Sequence, residues 1–203
     1  MHDVFINPKS LKTLVLSAVE VYNRETNGFI AGKPVLKKIR GKEKAVISLQ
    51  TVYPLQTAER KPSQVVHGND LAHRRAIASL SAMKIPIIGG FHSHTDYHPT
   101  QDAPPELSKG DLDHIHDEMK NLKTLRKGRE MRRWLEIILS IKKKSYSKSQ
   151  KNKMKINSYK KRLGCTVITE PYKGYKITLA GYWIQNISAK TRVRKEAKIY
   201  SNA

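Results

Sequence analysis

The side chains best suited to chemistry are clustered in Phe91-His92-Ser93-His94, directly after the apolar run Ile85-Pro86-Ile87-Ile88-Gly89-Gly90-Phe91. A short continuous run of this kind reads as a buried strand, with Pro86 near its start. On extended backbone, residues i and i+2 point to the same side. His92 and His94 can therefore reach one metal ion at about 2.0–2.1 Å. A polar, proline-containing loop follows from Thr95 to Leu107, and then Ser108-Lys109-Gly110-Asp111 opens a helix. Ser108 suits the capping position of that helix, and Asp111 can offer an oxygen ligand. Glu25 stands between the end of the first helical segment and Gly28. Taken singly, these are an exposed histidine pair, a helix cap and a solvated carboxylate.

The elements that must position them follow from periodicity. Asn7 caps a first helix and Pro8 opens it, with Leu11, Leu14, Val15, Ala18, Val19 and Tyr22 on one face. Phe29–Gly32 predicts a strand interrupted by Lys33-Pro34, and Ala45–Leu49 a second strand after a turn at Gly41-Lys42. Residues 51–62 read as a loop. Asn69 or Asp70 caps a second helix bearing Ala76, Ile77, Leu80 and Met83 on one face, and the third helix carries Leu112, Ile115 and Met119. Strands are predicted at 134–140, 165–169 and 177–184. The Lys-, Ser- and Asn-rich stretch Lys142–Arg162 reads as an exposed or disordered insertion, and the last dozen residues as a frayed basic tail. Without a regular βαβ repeat, the expectation is one mixed α/β domain over 1–190, with a basic insertion at 142–162 and a tail at 191–203.

Composition narrows the function classes. The 203 residues carry 39 Lys plus Arg against 17 Asp plus Glu, a net charge of +22. That charge suits contact with nucleic acid or an acidic protein through the basic insertion. One cysteine, Cys165, excludes an internal disulfide framework and a Cys-based zinc finger, and it is expected to be buried in a strand. No apolar run approaches the roughly 20 residues of a membrane span, and the start lacks a signal-peptide pattern. A soluble cytoplasmic protein is expected. His114, three residues past Asp111, is expected to be exposed or to stand behind the site. His67 and His73 are expected to be solvated, and Trp134 and Trp183 to sit in the core. Phe91 and Tyr97 either wall a groove or pack.

Three segments together resemble the JAMM (MPN-plus) metalloprotease family: Glu25-Thr26-Asn27-Gly28-Phe29-Ile30-Ala31-Gly32, Ile87-Ile88-Gly89-Gly90-Phe91-His92-Ser93-His94, and Ser108-Lys109-Gly110-Asp111-Leu112. The resemblance implies a single MPN-like (cytidine-deaminase-like) α/β domain, a mixed sheet with flanking helices. It further implies Zn²⁺ held by His92, His94 and Asp111, Glu25 as general base, and Ser108 as donor to the oxyanion. The implied reaction is zinc-dependent peptidase or isopeptidase hydrolysis of the bond after the C-terminus of a ubiquitin-like modifier. Thr95 replaces the family's usual proline. The loop Thr95–Gly110 is longer than the family's usual stretch of about ten residues, an insertion whose closure cost grows only logarithmically. The longer loop brings rival ligands in Asp96, His98 and Asp102; Asp111 is preferred because Ser108-x-x-Asp111 keeps its spacing and helix start. The alternatives are a non-catalytic MPN scaffold in a complex and a nucleic-acid-binding protein using the basic insertion.

Overall fold

The computed structural model describes residues 2–55, 59–60, 65–66, 70–95, 105–125, 131–187 and 190–202. The chain opens with strand β1 (Asp3–Ile6) and helix α1 (Pro8–Glu20). The Asn7 side chain accepts from the Ser10 N–H at 2.9 Å, so the cap and the proline at the helix start are as expected. Two long strands follow, β2 (Asn27–Ile39) and β3 (Lys42–Pro54), then a small ribbon of β4 (Glu59–Arg60) and β5 (Val65–Val66). Helix α2 (Asp70–Ala82), strand β6 (Ile87–Thr95) and helix α3 (Lys109–Leu125) come next. Every regular element among the described residues beyond α3 is a strand: β7 (Arg133–Ser145), β8 (Lys153–Tyr159), β9 (Arg162–Glu170), β10 (Lys173–Ile187), β11 (Lys190–Ala197) and β12 (Ile199–Ser201).

Ten strands form one sheet in the order β12-β1-β3-β2-β6-β7-β10-β9-β8, with β11 pairing on β10. The sheet curls until its ends approach, the Ile199 N–H donating to the Lys161 carbonyl at 2.9 Å. On its inner face α1 sets Leu11, Leu14, Val15 and Ala18 against Ile137, Leu139, Ile141, Leu163, Cys165, Ile177 and Leu179. On the other side α2 and α3 bury Ile77, Leu80, Ile115, Met119 and Leu122 against Phe29, Ile87 and Trp134. At roughly 25 cal/mol per Å² of apolar area, these two layers supply the main driving force for folding.

The expected MPN-like α/β domain is corrected by this architecture. Among the described residues strands take more than twice as many positions as helices, and the sheet curls into a nearly closed barrel instead of the MPN α/β sandwich. The difference lies in segments whose lysines masked their periodicity. Residues 142–162, expected as an exposed or disordered insertion, are mostly exposed but ordered into strands, with the end of β7 and all of β8. In β8, Met154 and Ile156 alternate with exposed Lys153 and Lys155, and both pack on the inner core. The tail is not frayed either. β12 pairs in parallel with β1, and Ile199 and Tyr200 are buried. β2 runs through Pro34 without interruption, because its pairing with β6 covers only Asn27–Ala31. Beyond that point β2 is an edge, where a missing N–H costs no ladder bond. Residues 51–54, read as loop, continue β3.

Candidate metal centre

Strand β6 carries His92 and His94 on the face opposite Phe91 and Ser93, which are buried at 1% and 0% exposure. Ser93 fixes the register of the neighbouring segment. Its Oγ accepts from the Thr26 N–H at 2.9 Å, and its own N–H donates to the Thr26 carbonyl at 2.8 Å. Asn27 pairs with His92 across β2 and β6. Glu25 is thus anchored one residue before this double bond, beside the two histidines. Gly28 and Gly90 permit the close packing here: a Cβ on Gly28 would fall 2.2 Å from the Tyr53 carbonyl oxygen, and one on Gly90 2.9 Å from the Trp134 ring.

Helix α3 delivers Asp111 to the same place. Asp111 Oδ2 accepts from the Ser108 N–H at 2.6 Å, while Ser108 Oγ accepts from the Asp111 N–H at 3.1 Å. This reciprocal cap fixes both the start of α3 and the orientation of the carboxylate. His92 Nε2 lies 3.0 Å from His94 Nε2 and 3.6 Å from Asp111 Oδ1, and His94 Nε2 lies 3.6 Å from Asp111 Oδ2. Ligands about 2.0–2.1 Å from one ion in a tetrahedron stand roughly 3.3 Å apart, so this triangle could hold a metal ion. Among the described residues it is the one group of three such donors close enough to share a cation.

The residue that sequence reasoning missed is Glu136 on β7. Its Oε1 lies 2.7 Å from His92 Nδ1, and its Oε2 accepts from the Trp134 indole N–H at 2.5 Å. Glu136 is 3% exposed. A carboxylate on Nδ1 holds the imidazole proton there and leaves Nε2 as the free lone pair, the tautomer a metal requires. The signal was present in Trp134-Leu135-Glu136-Ile137-Ile138, an acid alone in an apolar strand. Such a residue needs a buried partner.

Electrostatics agree with this arrangement. Burial lowers the His92 pKa, but the Asp111 and Glu136 carboxylates outweigh it and raise it to about 10. Burial raises that of Asp111, yet hydrogen bonds to His92, His94 and the Ser108 backbone hold it well below the usual carboxylate range. Glu25 is shifted upward, first by burial and also by the Asp111 charge, against the pull of His92 and His94. A cation between the three donors would relieve the crowding of two imidazole lone pairs. It would also take the place of the proton that the carboxylates favour on His92.

The remaining expectations divide. Asp96, His98, Asp102, Tyr97 and His67 lie outside the described residues. His73 is not solvated: it is 6% exposed, stacks on Phe29 at 5.3 Å, and reaches Glu118 Oε1 at 3.2 Å. Phe91 packs in the inner core instead of walling a groove. His114, half exposed, joins His92, Glu118, Glu136 and Asn27 around a cavity of about 30 Å³ behind the site. Trp134, Trp183 and Cys165 are buried as expected.

No known protein-family profile and no curated protein sequence matches the chain. Among solved structures, the solution structure of protein DSY2949 from Desulfitobacterium hafniense is similar over 98% of this chain and 92% of its own. The sequence identity is 14% and the TM-score 0.45. No helix among the described residues is long and apolar enough to cross a membrane.

Proposed function

We propose that the protein is a zinc-dependent hydrolase of amide bonds, a peptidase or isopeptidase. The reading rests on the site and not on the fold, whose expected family architecture is absent. The observation that carries it is the triangle of His92, His94 and Asp111 donors, 3.0–3.6 Å apart, with Glu25 beside it. Three protein ligands leave a fourth position for water or substrate, which distinguishes a catalytic zinc site from a structural one.

When bound, zinc supplies Lewis acidity, polarising a carbonyl oxygen and bringing a water's pKa to about 7. The chain's own residues do the rest. Glu136, held by Trp134, keeps His92 Nε2 turned toward the centre. Glu25, its pKa shifted upward, accepts a proton from the attacking water at its carboxylate and returns it to the leaving amine. Ser108 accepts the Asp111 N–H through its oxygen and keeps its own hydroxyl proton to donate to a developing oxyanion. Cys165, buried on the far face of the sheet, has no part in this.

The finer reading, supported by the resemblance of the three motifs, is cleavage after the C-terminus of a ubiquitin-like modifier in a cytoplasmic setting. The experiment is a measurement of bound zinc together with hydrolysis of isopeptide-linked and linear modifier conjugates. About one equivalent of zinc and cleavage abolished by chelation are expected. A metal-replete protein that cleaves no amide among these conjugates would leave the metal site and remove the reaction.

A further inference from the structure

We infer that the outer face of β7, β10, β9 and β8 binds single-stranded nucleic acid, a function separate from the hydrolase reading and independent of it. Strand register places the residues. Lys142 pairs with Lys176, Lys176 with Thr166, and Thr166 with Lys155, giving one row across four strands. The next row holds Lys144, Gly174, Ile168 and Lys153. Neighbouring strands are about 4.8 Å apart and alternate residues about 6.8 Å along, so five lysine stems rise from a patch roughly 15 Å by 7 Å. Lys144, Lys153, Lys155 and Lys176 are exposed, Lys142 is half-buried, and these two rows contain no acidic residue.

This face is the outer one, since Ile141, Ile177, Leu163 and Cys165, one residue out of phase, belong to the inner core. It is also the face that carries the metal centre. His94 pairs with Ser140, and Ser140 with Thr178, one step before the Lys142 row.

Charge alone would suit any polyanion. The aromatic residues favour nucleic acid. Tyr146, half-buried, follows Lys144 by two residues, and the Lys144 ammonium lies 5.7 Å from the centre of its ring. Tyr159, 65% exposed, follows Lys155 by four. Tyr159 also walls an open groove of about 530 Å³ with Lys160, Lys161, Arg162, Thr178 and Glu196. Glu196 is held there by Arg162 at 3.2 Å and Lys161 at 3.7 Å, so its charge is offset. Lysines that track a backbone, beside an exposed ring such as Tyr159 on which a base can stack, are what sequence-tolerant single-strand binding needs. A duplex offers no base faces to such rings.

The test is fluorescence anisotropy with a labelled mixed-sequence single-stranded DNA of about 20 nucleotides, its duplex, and a poly-L-glutamate of similar charge. The single strand should bind most tightly. Lys142→Glu/Lys155→Glu/Lys176→Glu should weaken it at least tenfold and reduce the log–log salt slope by about 2, at about 0.7 per lost contact. The control Lys12→Glu/Lys33→Glu/Lys38→Glu makes the same change in net charge at exposed lysines outside the patch and should cost less. Tyr159→Ala, a surface change that should leave folding intact, should weaken the single strand about fivefold or more but leave poly-L-glutamate unchanged. Equal loss in both triple variants would reduce the effect to net charge and overturn the proposal. Poly-L-glutamate bound as tightly as DNA, with Tyr159→Ala neutral, would make the face a dock for acidic proteins instead. Preference for the duplex would overturn the single-strand assignment.

Discussion

The candidate metal centre and the lysine face lie on one side of one sheet, yet they are built by opposite rules. At the centre each group is held by a named neighbour: His92 by Glu136, Glu136 by Trp134, Asp111 by the Ser108 backbone, and the Glu25 segment through the Thr26–Ser93 pair. On the lysine face repetition replaces precision, and cations recur along and across strands. A site that fixes an ion fails when one atom moves. A surface that collects charge loses affinity by increments. The same backbone register serves both, because β7 contributes Glu136 at one end and Lys142 and Lys144 at the other.

The largest expected effects fall at the centre. His92→Ala/His94→Ala should abolish stoichiometric zinc, read by metal analysis after dialysis, while the lysine face keeps its binding. Glu25→Gln should keep zinc and the thermal midpoint and lose at least about a hundredfold in turnover, the usual scale of general-base loss. Zinc lost in Glu25→Gln would make Glu25 a ligand and redraw the site.

Next in size is Glu136→Gln. Replacing a carboxylate behind a metal-bound imidazole typically costs ten- to hundredfold in metal affinity. The measurement is a competition titration against a chelator. Unchanged affinity would show that His92 needs no orienting partner and that the centre is less constrained than its geometry.

The sequence was most legible where one residue type settles the local structure. Asn7-Pro8, the apolar face of α1 as far as Val19, the run into His92, and Ser108 capping α3 all stand as read, while Tyr22 lies past the end of the helix. Ser108-x-x-Asp111 was legible as a local hydrogen-bonded turn, and that turn brings the Asp111 carboxylate within 3.6 Å of both histidines. Glu136 was missed because its meaning depends on strand pairing: Gly90 opposite it, without a side chain, leaves room for the carboxylate. The fold was misread for a related reason. Lysine content at 142–162 hid a period-two pattern in Met154 and Ile156, which are half-buried against the inner core and pair with Val167 and Cys165. Short strands that bury one thin edge of apolar residues carry little signal of their own.

Stability should follow the same division. Ile156→Asp places a charge at a half-buried position packed on the core beside Cys165 and should lower the thermal midpoint by several degrees, since a partly desolvated, unpaired charge is costly. Lys155→Asp, one residue away on the outer face, should change it little. Equal effects would mean that β8 is not docked on the core. That would also undermine the register on which the lysine face depends.

The smallest effect tests whether that face is a rigid surface. Cys165 lies on β9 between outward-facing Gly164 and Thr166, pairs with Ile156 of β8, and is 2% exposed. Burial pushes its thiol from about 9 up to about 11. At pH 8 the native protein should therefore react with a thiol reagent orders of magnitude more slowly than the unfolded chain, because both thiolate and access are suppressed. The linkage has a definite sign. Between pH 9 and 11 the unfolded thiol ionises while the folded one keeps its proton, so the native state binds more protons and stability falls as pH rises. Below pH 9 both forms are protonated and the contribution is flat. Cys165→Ser keeps the shape and moves ionisation far away, so the difference between its midpoint and that of the parent should be constant to pH 9 and then shift in favour of Ser. Rapid labelling of the native thiol at pH 8 would mean that β8 and β9 open readily. The lysine face would then be a mobile strap and not a preformed surface.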